Sequence, residues 1–406
     1  MFKITARTVL ELGSELISSD IIAFYELIKN GFDAGTKDGV DIKFNIVLRR
    51  NVYLDLRRKA LAATKTVPEI VALALAALSV DSEQKLLDKA KSRLQKANID
   101  LEIVDALDEI NEMSNIVVSD SGSGMSVGDL QNNFLVIGTA SRKSEVDKAL
   151  SSGSGKSPFL GEKGIGRLSA MRLGDTLRVE TAKVEDSQLN CLDIDWSDFA
   201  QIDAMLADIE IEPTQGGEKP EPGWSGTRIV IGKLTEDWTF ERVKRMAEYE
   251  FSRLTDPFLD PKKRPRVALY WNEDRLSIPW MQKALTEGAH VSVIGSYRIE
   301  EGKPLLTCDV EIKNLGFPHP VESDNYSISV EDLESALIGT SREIPETALT
   351  SVGPFDFQVH WFNRRLLTAM DGIGDLKAVR EQQLRFLAPA RIDLWNSNHT
   401  TIKTRG

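Results

Sequence analysis

The segment from Glu26 to Ala34, Glu-Leu-Ile-Lys-Asn-Gly-Phe-Asp-Ala, constrains the fold and chemistry of this chain more than any other. The Ser-Ser-Asp triplet at 18–20 supplies helix-capping residues and an apolar run follows, so we predict a helix here. On that helix Glu26, Asn30 and Asp33 share one face, because they are spaced i, i+4 and i+7. Such a face can hold a hydrated cation and polarise a water molecule beside it. The alternative is the solvated side of an ordinary amphipathic helix.

A second segment, Asp120-Ser-Gly-Ser-Gly-Met125, follows the apolar run 116–118, which predicts a short buried strand. Gly122 and Gly124 permit a sharp turn in which the backbone approaches a planar ligand closely, because glycine has no Cβ. A carboxylate at the end of the strand can accept a hydrogen bond from an exocyclic amine such as that of adenine. The same residues also suit an ordinary Asp/Ser/Gly turn.

A third segment, Gly161-Glu-Lys-Gly-Ile-Gly166, precedes residues 167–171, which predict the start of a helix. Backbone amides at a helix N-terminus bind phosphate where glycine leaves them open, although glycine-rich loops also occur without ligands. The nearby segment 151–157 imitates a P-loop, but Leu150 stands where the pattern requires its first glycine. We therefore predict a flexible lid loop there.

In this order the three segments resemble the GHKL (Bergerat-fold) ATPase superfamily. It includes the ninety-kilodalton heat-shock chaperone, MutL, type II topoisomerase ATPase subunits, MORC proteins and histidine kinases. The Glu-Leu-Ile-x-Asn-x-x-Asp-Ala form is most similar to the chaperone, MutL and MORC branches. Residues 137–143, Ile-Gly-Thr-Ala-Ser-Arg-Lys, are similar to the lid-entry segment. Residues 226–231, Gly-Thr-Arg-Ile-Val-Ile, are similar to the late strand that closes the pocket.

The resemblance, which covers about residues 1–235, implies a fold. We expect an α/β two-layer sandwich, with a mixed sheet and helices on one face, over residues 1–240, with a lid at about 138–160. An α+β transducer-like domain is expected over residues 241–406. The alanine- and leucine-rich stretch 55–108 predicts a helical insertion of unassigned function. Strands are predicted at 1–10, 41–48, 267–271, 291–294, 308–312 and 357–362.

The resemblance also implies a role for each matching residue. Glu26 is expected to activate the attacking water, and Asn30 to bind magnesium together with the ATP phosphates. Asp120 is expected to bind the adenine amine, with Thr227 supporting it through water. The remaining positions expected at the nucleotide are Asp33, Ala34, Gly122, Gly124, Met125, Thr139, Lys143, Gly161, Gly164, Ile165 and Gly166. Arg364 or Arg365 could reach the γ-phosphate from the second domain; the alternative is two exposed arginines at a strand end.

Composition narrows the class of protein. The chain has 406 residues, 41% of them apolar, and carries 50 basic against 62 acidic residues, a net charge of −12. This balance argues against a surface that coats DNA uniformly. Cys191 and Cys308 are the only two cysteines, too few for a disulfide framework. The N-terminus lacks the apolar core of a secretory leader. We therefore expect a cytoplasmic location without membrane insertion. The end of the chain lacks a compact closing element, and we expect either a fragment or a divergent terminus.

The function implied by the resemblance is magnesium-dependent binding and slow hydrolysis of ATP. Binding would close the lid and drive a nucleotide-dependent homodimer, making the protein a molecular clamp or switch. Three outputs stay open: a clamp on nucleic acid, chaperone-like remodelling of protein clients, or a nucleotide-sensing component of a multi-protein system such as bacterial defence.

Overall fold

The computed structural model describes residues 4–17, 19–136, 166–201, 204–251, 266–278, 288–313, 322–329 and 353–361, together with residues 332, 333 and 349. The described residues up to 278 form one compact unit, and those from 288 onward form a second.

The chain enters the first unit as a helix, α1 (Arg7–Leu16). The predicted strand at 1–10 is therefore wrong over its described part. Ala6, Val9, Gly13 and Ile17 are buried, and this spacing of three or four residues places one face of a helix against the core. A half-buried strand would instead bury every second residue.

The second helix is the one predicted from the first motif. α2 spans Asp20–Asp33, and the Ser19 hydroxyl caps it by accepting a hydrogen bond from the Ile22 amide at 3.4 Å. Its apolar face buries Phe24, Leu27 and Ile28 against the sheet. The cap and the burial of that face together fix which side of α2 the polar residues occupy.

An eight-stranded mixed sheet forms the centre of the first unit, in the order β5-β4-β3-β6-β2-β1-β7-β8. Neighbouring strands pair antiparallel except β1 and β7, which are parallel. The predicted α/β class with a mixed sheet is thus confirmed. The strands are β1 Val40–Asn45, β2 Asn115–Asp120, β3 Gly174–Ala182, β4 Gln188–Asp195, β5 Thr214–Glu218, β6 Gly226–Leu234, β7 Val267–Trp271 and β8 Asp274–Leu276.

Between β1 and β2 the chain makes four helices: α3 Arg50–Leu61, α4 Val67–Ala77, α5 Gln84–Gln95 and α6 Asp100–Met113. The predicted helical character of residues 55–108 is confirmed. These helices bury an apolar cluster of their own, which includes Ile70, Leu94, Ile103 and Leu107 and is separate from the cluster beneath α2. A second core of this kind lets the insertion fold without displacing the sheet.

Aromatic side chains lock α2 onto the sheet. Phe24 of α2 packs edge-on against Trp238 and Phe251, with ring centroids 5.9 Å apart in both pairs. Phe44 of β1 lies 5.5 Å from Phe24 and 4.9 Å from Trp238. A short helix, α7 (Val127–Asp129), follows β2, and Trp238 lies two residues before the later helix α8 (Phe240–Tyr249). These rings hold three distant parts of the sequence at fixed spacing.

The strand Val267–Trp271 exists as predicted, but it belongs to the first sheet, where it pairs in parallel with β1. The domain bounds predicted from the sequence grouped it with the second domain instead. A parallel pair requires a long crossover connection, and the chain after β6, including α8, provides it. The periodicity of a strand carries no information about which sheet it joins. The division of the chain at residue 240 stays a prediction.

The second unit contains a four-stranded antiparallel sheet in the order β11-β10-β9-β12. Its strands are β9 Val291–Glu300, β10 Lys303–Ile312, β11 Glu322–Ile328 and β12 Phe355–Trp361. The predicted strands at 291–294, 308–312 and 357–362 are confirmed over their described residues. Among the described residues of the whole chain, no helix has the length and apolar character needed to cross a membrane.

Candidate functional site

The polar face of α2 is partly shielded from solvent. Glu26, Asn30 and Asp33 are all half-buried, and the Glu26 side chain is 26% exposed. The Lys29 ammonium lies 3.5 Å from the Glu26 Oε1, one helical turn along. Carboxylate and carboxamide oxygens on one face are hard donors of the kind that magnesium prefers, so the donor set fits that ion.

Gly31 brings this helix against the end of β2. A Cβ at residue 31 would lie 2.7 Å from the Val40 Cγ2 and 3.2 Å from the Asp120 Cβ. Val40 and Asp120 are paired across β1 and β2. The first and second motifs, almost ninety residues apart in sequence, are therefore in direct contact.

Asp120 is held at the strand end by backbone amides. The Gly122 amide donates to its Oδ1 at 2.8 Å, and the Thr227 amide donates to the same carboxylate. Burial raises the pKa of Asp120 to about 6, against the lowering effect of these two hydrogen bonds. At pH 7 the group is mainly ionised, with acceptor capacity remaining for the amine of a purine base.

The turn after β2 is fastened to the end of α2. The Ser123 amide donates to the Ala34 carbonyl at 2.9 Å, and a Cβ at Gly122 would lie only 2.6 Å from the Ala34 Cβ. The Ser225 hydroxyl donates to the Gly122 carbonyl at 2.8 Å. Ala34 and Gly122 are thus both small because their backbones meet.

Gly124 occupies a left-handed backbone conformation, with φ +67°. A Cβ at this position would overlap the carbonyl oxygen of Ala182 at the end of β3. The next residue, Met125, donates its amide to the Thr181 hydroxyl at 3.0 Å and accepts from the Asn190 side chain at 3.0 Å. The turn therefore reaches β3 and β4 as well as α2.

Thr181 was missed by sequence reasoning, yet it organises this corner of the site. Its hydroxyl is fully buried, donates to the Gly226 carbonyl at 2.8 Å and lies 3.0 Å from the Thr227 hydroxyl. Because its single proton goes to Gly226, Thr227 must donate in the pair of hydroxyls. The lone pairs of Thr227 are then available to accept. The only signal in the sequence was a threonine at an inward position of β3.

The third motif leads into a 3-10 helix, Gly166–Arg172, which confirms the predicted helix start. Leu168, Ser169 and Ala170 are buried, and the Met171 Sδ fills the space beside Gly13 of α1. This helix packs against both α1 and α2. The last residue before it in the motif, Ile165, and the other predicted positions Thr139, Lys143, Gly161, Gly164, Arg364 and Arg365 lie outside the described residues.

The structure therefore joins the end of α2, through Gly31 and Ala34, to the segment from Asp120 to Met125. Thr181 links that segment to Thr227 on β6. Glu26, Asn30 and Asp33 share one face of the same helix. A model of the family described as histidine kinase-, DNA gyrase B- and HSP90-like ATPase matches residues 17–221. The chain belongs to this family. The match covers about half the chain and includes all three motifs, which confirms the GHKL resemblance. No curated protein matches the chain.

Membership agrees with what the site offers chemically. An ATPase domain of the GHKL family binds ATP, and this chain has acceptors for a purine amine at one end of the site. At the other end α2 presents oxygen donors suited to a metal–phosphate complex. The chain thus carries an ATP-binding domain of this type.

Proposed function

We propose that the protein binds ATP together with Mg²⁺ and hydrolyses it slowly by attack of water on the γ-phosphate. The observation that supports this most strongly is the packing of Gly31 against Asp120. It joins α2, the helix that carries Glu26 and Asn30, to the strand end that carries the carboxylate expected to bind adenine. Neither segment alone would favour a nucleotide over a solvated helix face or an ordinary turn.

At the base end, Asp120 accepts a hydrogen bond from the exocyclic amine. The Gly122 and Thr227 amides orient the carboxylate, and the Thr227 hydroxyl oxygen accepts from a water or from the base. This polarity favours adenine over guanine, because guanine presents a carbonyl where the carboxylate requires a donor.

At the phosphate end, Glu26 orients the attacking water and takes its proton, a role for which a positioned carboxylate is suited. Asn30 would hold magnesium with the phosphates, and the bound ion supplies charge neutralisation on the phosphate oxygens. The ammonium of Lys29, 3.5 Å from the Glu26 carboxylate, limits the directions in which that carboxylate points. The glycine segment that ends at Gly166 is expected to bind the phosphates through its backbone amides.

Closure of a lid at about 138–160 and formation of a homodimer complete the proposed cycle. Contacts to the γ-phosphate must offset the entropy lost when a Gly/Ser-rich segment is ordered. The nucleotide thus acts as the signal and hydrolysis as the reset of a clamp or switch.

Glu26→Ala tests the proposal. Equilibrium ATP binding should survive, while phosphate release falls by about 10²–10⁴-fold, the usual contribution of a general base. Glu15→Ala, which removes an exposed carboxylate of α1, is the matched control and should hydrolyse like the parent. Parent-like turnover in Glu26→Ala would leave the polar face of α2 without a catalytic role.

Assembly is tested separately. Sedimentation at matched protein concentration, with and without non-hydrolysable ATP and magnesium, should show a larger dimer fraction with nucleotide. A monomer that persists at nucleotide saturation would contradict the clamp cycle while leaving ATP hydrolysis intact.

A further inference from the structure

A carboxylate at the N-terminus of α2 joins two elements of the site. The Oδ1 of Asp20 accepts from the Arg172 Nε at 3.0 Å, and its Oδ2 accepts from the Arg242 Nη2 at 2.5 Å. The Asp20 side chain is 13% exposed. Both of its oxygens are therefore engaged by arginines in a shielded position.

Capping of α2 does not account for this arrangement. The capping hydroxyl belongs to Ser19, which accepts from the Ile22 amide. An acid in the first turn does interact favourably with the helix dipole, but that interaction requires no arginine partner. The two arginines instead come from elements more than 150 residues away, so the contacts of Asp20 are tertiary.

Arg172 is the last residue of the 3-10 helix that follows the glycine segment. Its backbone is fixed on the opposite side, since its carbonyl accepts from the Thr235 hydroxyl at 2.8 Å. The Leu173 carbonyl accepts from the Thr235 amide at 3.1 Å. The guanidinium of Arg172 thus connects a helix end that is anchored to the sheet with the first turn of α2.

We infer that Asp20 is a positioning residue for ATP hydrolysis, acting through Arg172. Glu26 lies six residues further along α2, about 9 Å along the helix axis. The amides expected to face the phosphates end at Gly166, where the 3-10 helix begins. The Asp20–Arg172 pair sets the spacing between these two elements, and so between the general base and the γ-phosphate. This inference rests on the proposed function.

Arg242 provides a matched comparison at the same carboxylate. It belongs to α8, and its guanidinium lies 4.1 Å from the ring centroid of Trp238. It also donates to the Asp237 carbonyl at 3.0 Å and to Glu236 at 3.4 Å. Arg242 is therefore tied to residues 236–238 as well as to Asp20, whereas Arg172 belongs to the 3-10 helix itself.

Substitution of Arg172 should therefore mainly lower kcat, whereas substitution of Arg242 should mainly lower stability. Arg172→Gln should lower kcat about tenfold or more, because small misplacements of reacting groups are costly, with the ATP Kd within about threefold of the parent. Arg242→Gln should lower the Tm further than Arg172→Gln does and leave kcat within about threefold. Arg172→Lys keeps the charge and should recover part of the lost kcat.

A double-mutant cycle completes the test. If Asp20 acts through Arg172, Asp20→Asn combined with Arg172→Gln should lower kcat no further than the worse single variant. All kcat values are measured below the lowest Tm of the set, and should Asp20→Asn fail to fold, the arginine pair decides alone. Equal losses of kcat in both arginine variants, or multiplicative losses in the cycle, would refute the positioning role. If ATP hydrolysis by the parent protein did not depend on Glu26, the proposed function itself would be refuted instead.

Discussion

Gly31 of α2 lies against Asp120 of β2 so closely that a Cβ at residue 31 would sit 3.2 Å from the Asp120 Cβ. The same Cβ would be 2.7 Å from the Val40 Cγ2, a distance that requires one of the two to move. The absence of a side chain at one helical position therefore determines how near α2 comes to the end of β2 and to Asp120.

Gly31→Ala should separate packing from helix propensity. In an open helical position this exchange stabilises by about 1 kcal/mol. Here overpacking should outweigh that gain and lower the free energy of unfolding by a net ~1–2 kcal/mol. ATP affinity should fall with it, because the displaced groups include Asp120. Urea unfolding and calorimetric titration measure the two effects.

Gly128→Ala is the control for that experiment. A Cβ at this helical position would meet its nearest atoms, in Ser126 and Asn132, at 3.8 and 3.9 Å, which is ordinary contact. Its stability should match or exceed that of the parent, and its ATP affinity should be unchanged. A Gly31→Ala protein as stable as Gly128→Ala would show that the Gly31–Asp120 contact relaxes freely.

The elements that carry the site were predictable because local signals agree with the tertiary fold. A cap precedes α2 and a regular apolar face follows the cap. β1 alternates along its whole length, and β2 is apolar over residues 116–118. The glycines at 122 and 124 mark the turn that the structure shows. In each case the chemistry of a few neighbouring residues decides the conformation.

The other features could not be predicted, because they depend on contacts between residues that are distant in sequence. Thr181 is important because its hydroxyl meets Gly226 and Thr227 from another strand, and no local pattern contains that pairing. The edge strand Thr214–Glu218 is polar and almost wholly exposed, so it has no hydrophobic period. α1 was taken for a strand because its ten residues present few apolar positions from which to distinguish the two periods.

The two threonines beside the turn should fail differently. Thr181→Val keeps the shape but removes the partner of the Met125 amide and of the Gly226 carbonyl, so it should cost about 1–3 kcal/mol of stability. Thr227→Val removes a hydroxyl that donates only to Thr181, and should cost less. ATP affinity should show the opposite order, because the Thr227 oxygen is the one expected to accept a hydrogen bond at the base. Denaturant unfolding and calorimetry of both variants test the order.

Asn30→Ala should weaken nucleotide binding itself, in contrast to Glu26→Ala, which sits one turn away. Loss of a metal ligand reduces the affinity for the magnesium–ATP complex, and raising the magnesium concentration should recover part of it by mass action. Lys29→Ala, on the same turn of α2, keeps the Asn30 carboxamide and serves as the comparison. The measurement is equilibrium ATP binding at a series of magnesium concentrations. If the affinity of Asn30→Ala depended on magnesium just as that of the parent does, Asn30 would not be a magnesium ligand.

Base selectivity tests Asp120 directly. GTP opposes a carbonyl to the buried carboxylate, and a mismatch of this kind costs a few kcal/mol, so GTP should bind roughly a hundredfold more weakly than ATP. Competition between the two nucleotides in one binding assay gives the ratio. Equal affinities would remove Asp120 from the recognition of the base.

Asp120→Asn should make the ligand-free protein more stable while abolishing tight ATP binding. The pKa of Asp120 is raised to about 6 from 3.8 by burial, so the folded state disfavours the charged form. The resulting penalty is absent below the unfolded pKa, grows as the pH rises, and is complete above 6. At pH 8 it is on the order of 3 kcal/mol, and at pH 5 roughly half of that. Asparagine keeps an oxygen for the Gly122 and Thr227 amides but carries no charge. Urea unfolding of parent and variant should therefore give a gain at pH 8 that shrinks toward pH 5. A gain independent of pH would mean that ionisation of Asp120 is not its source.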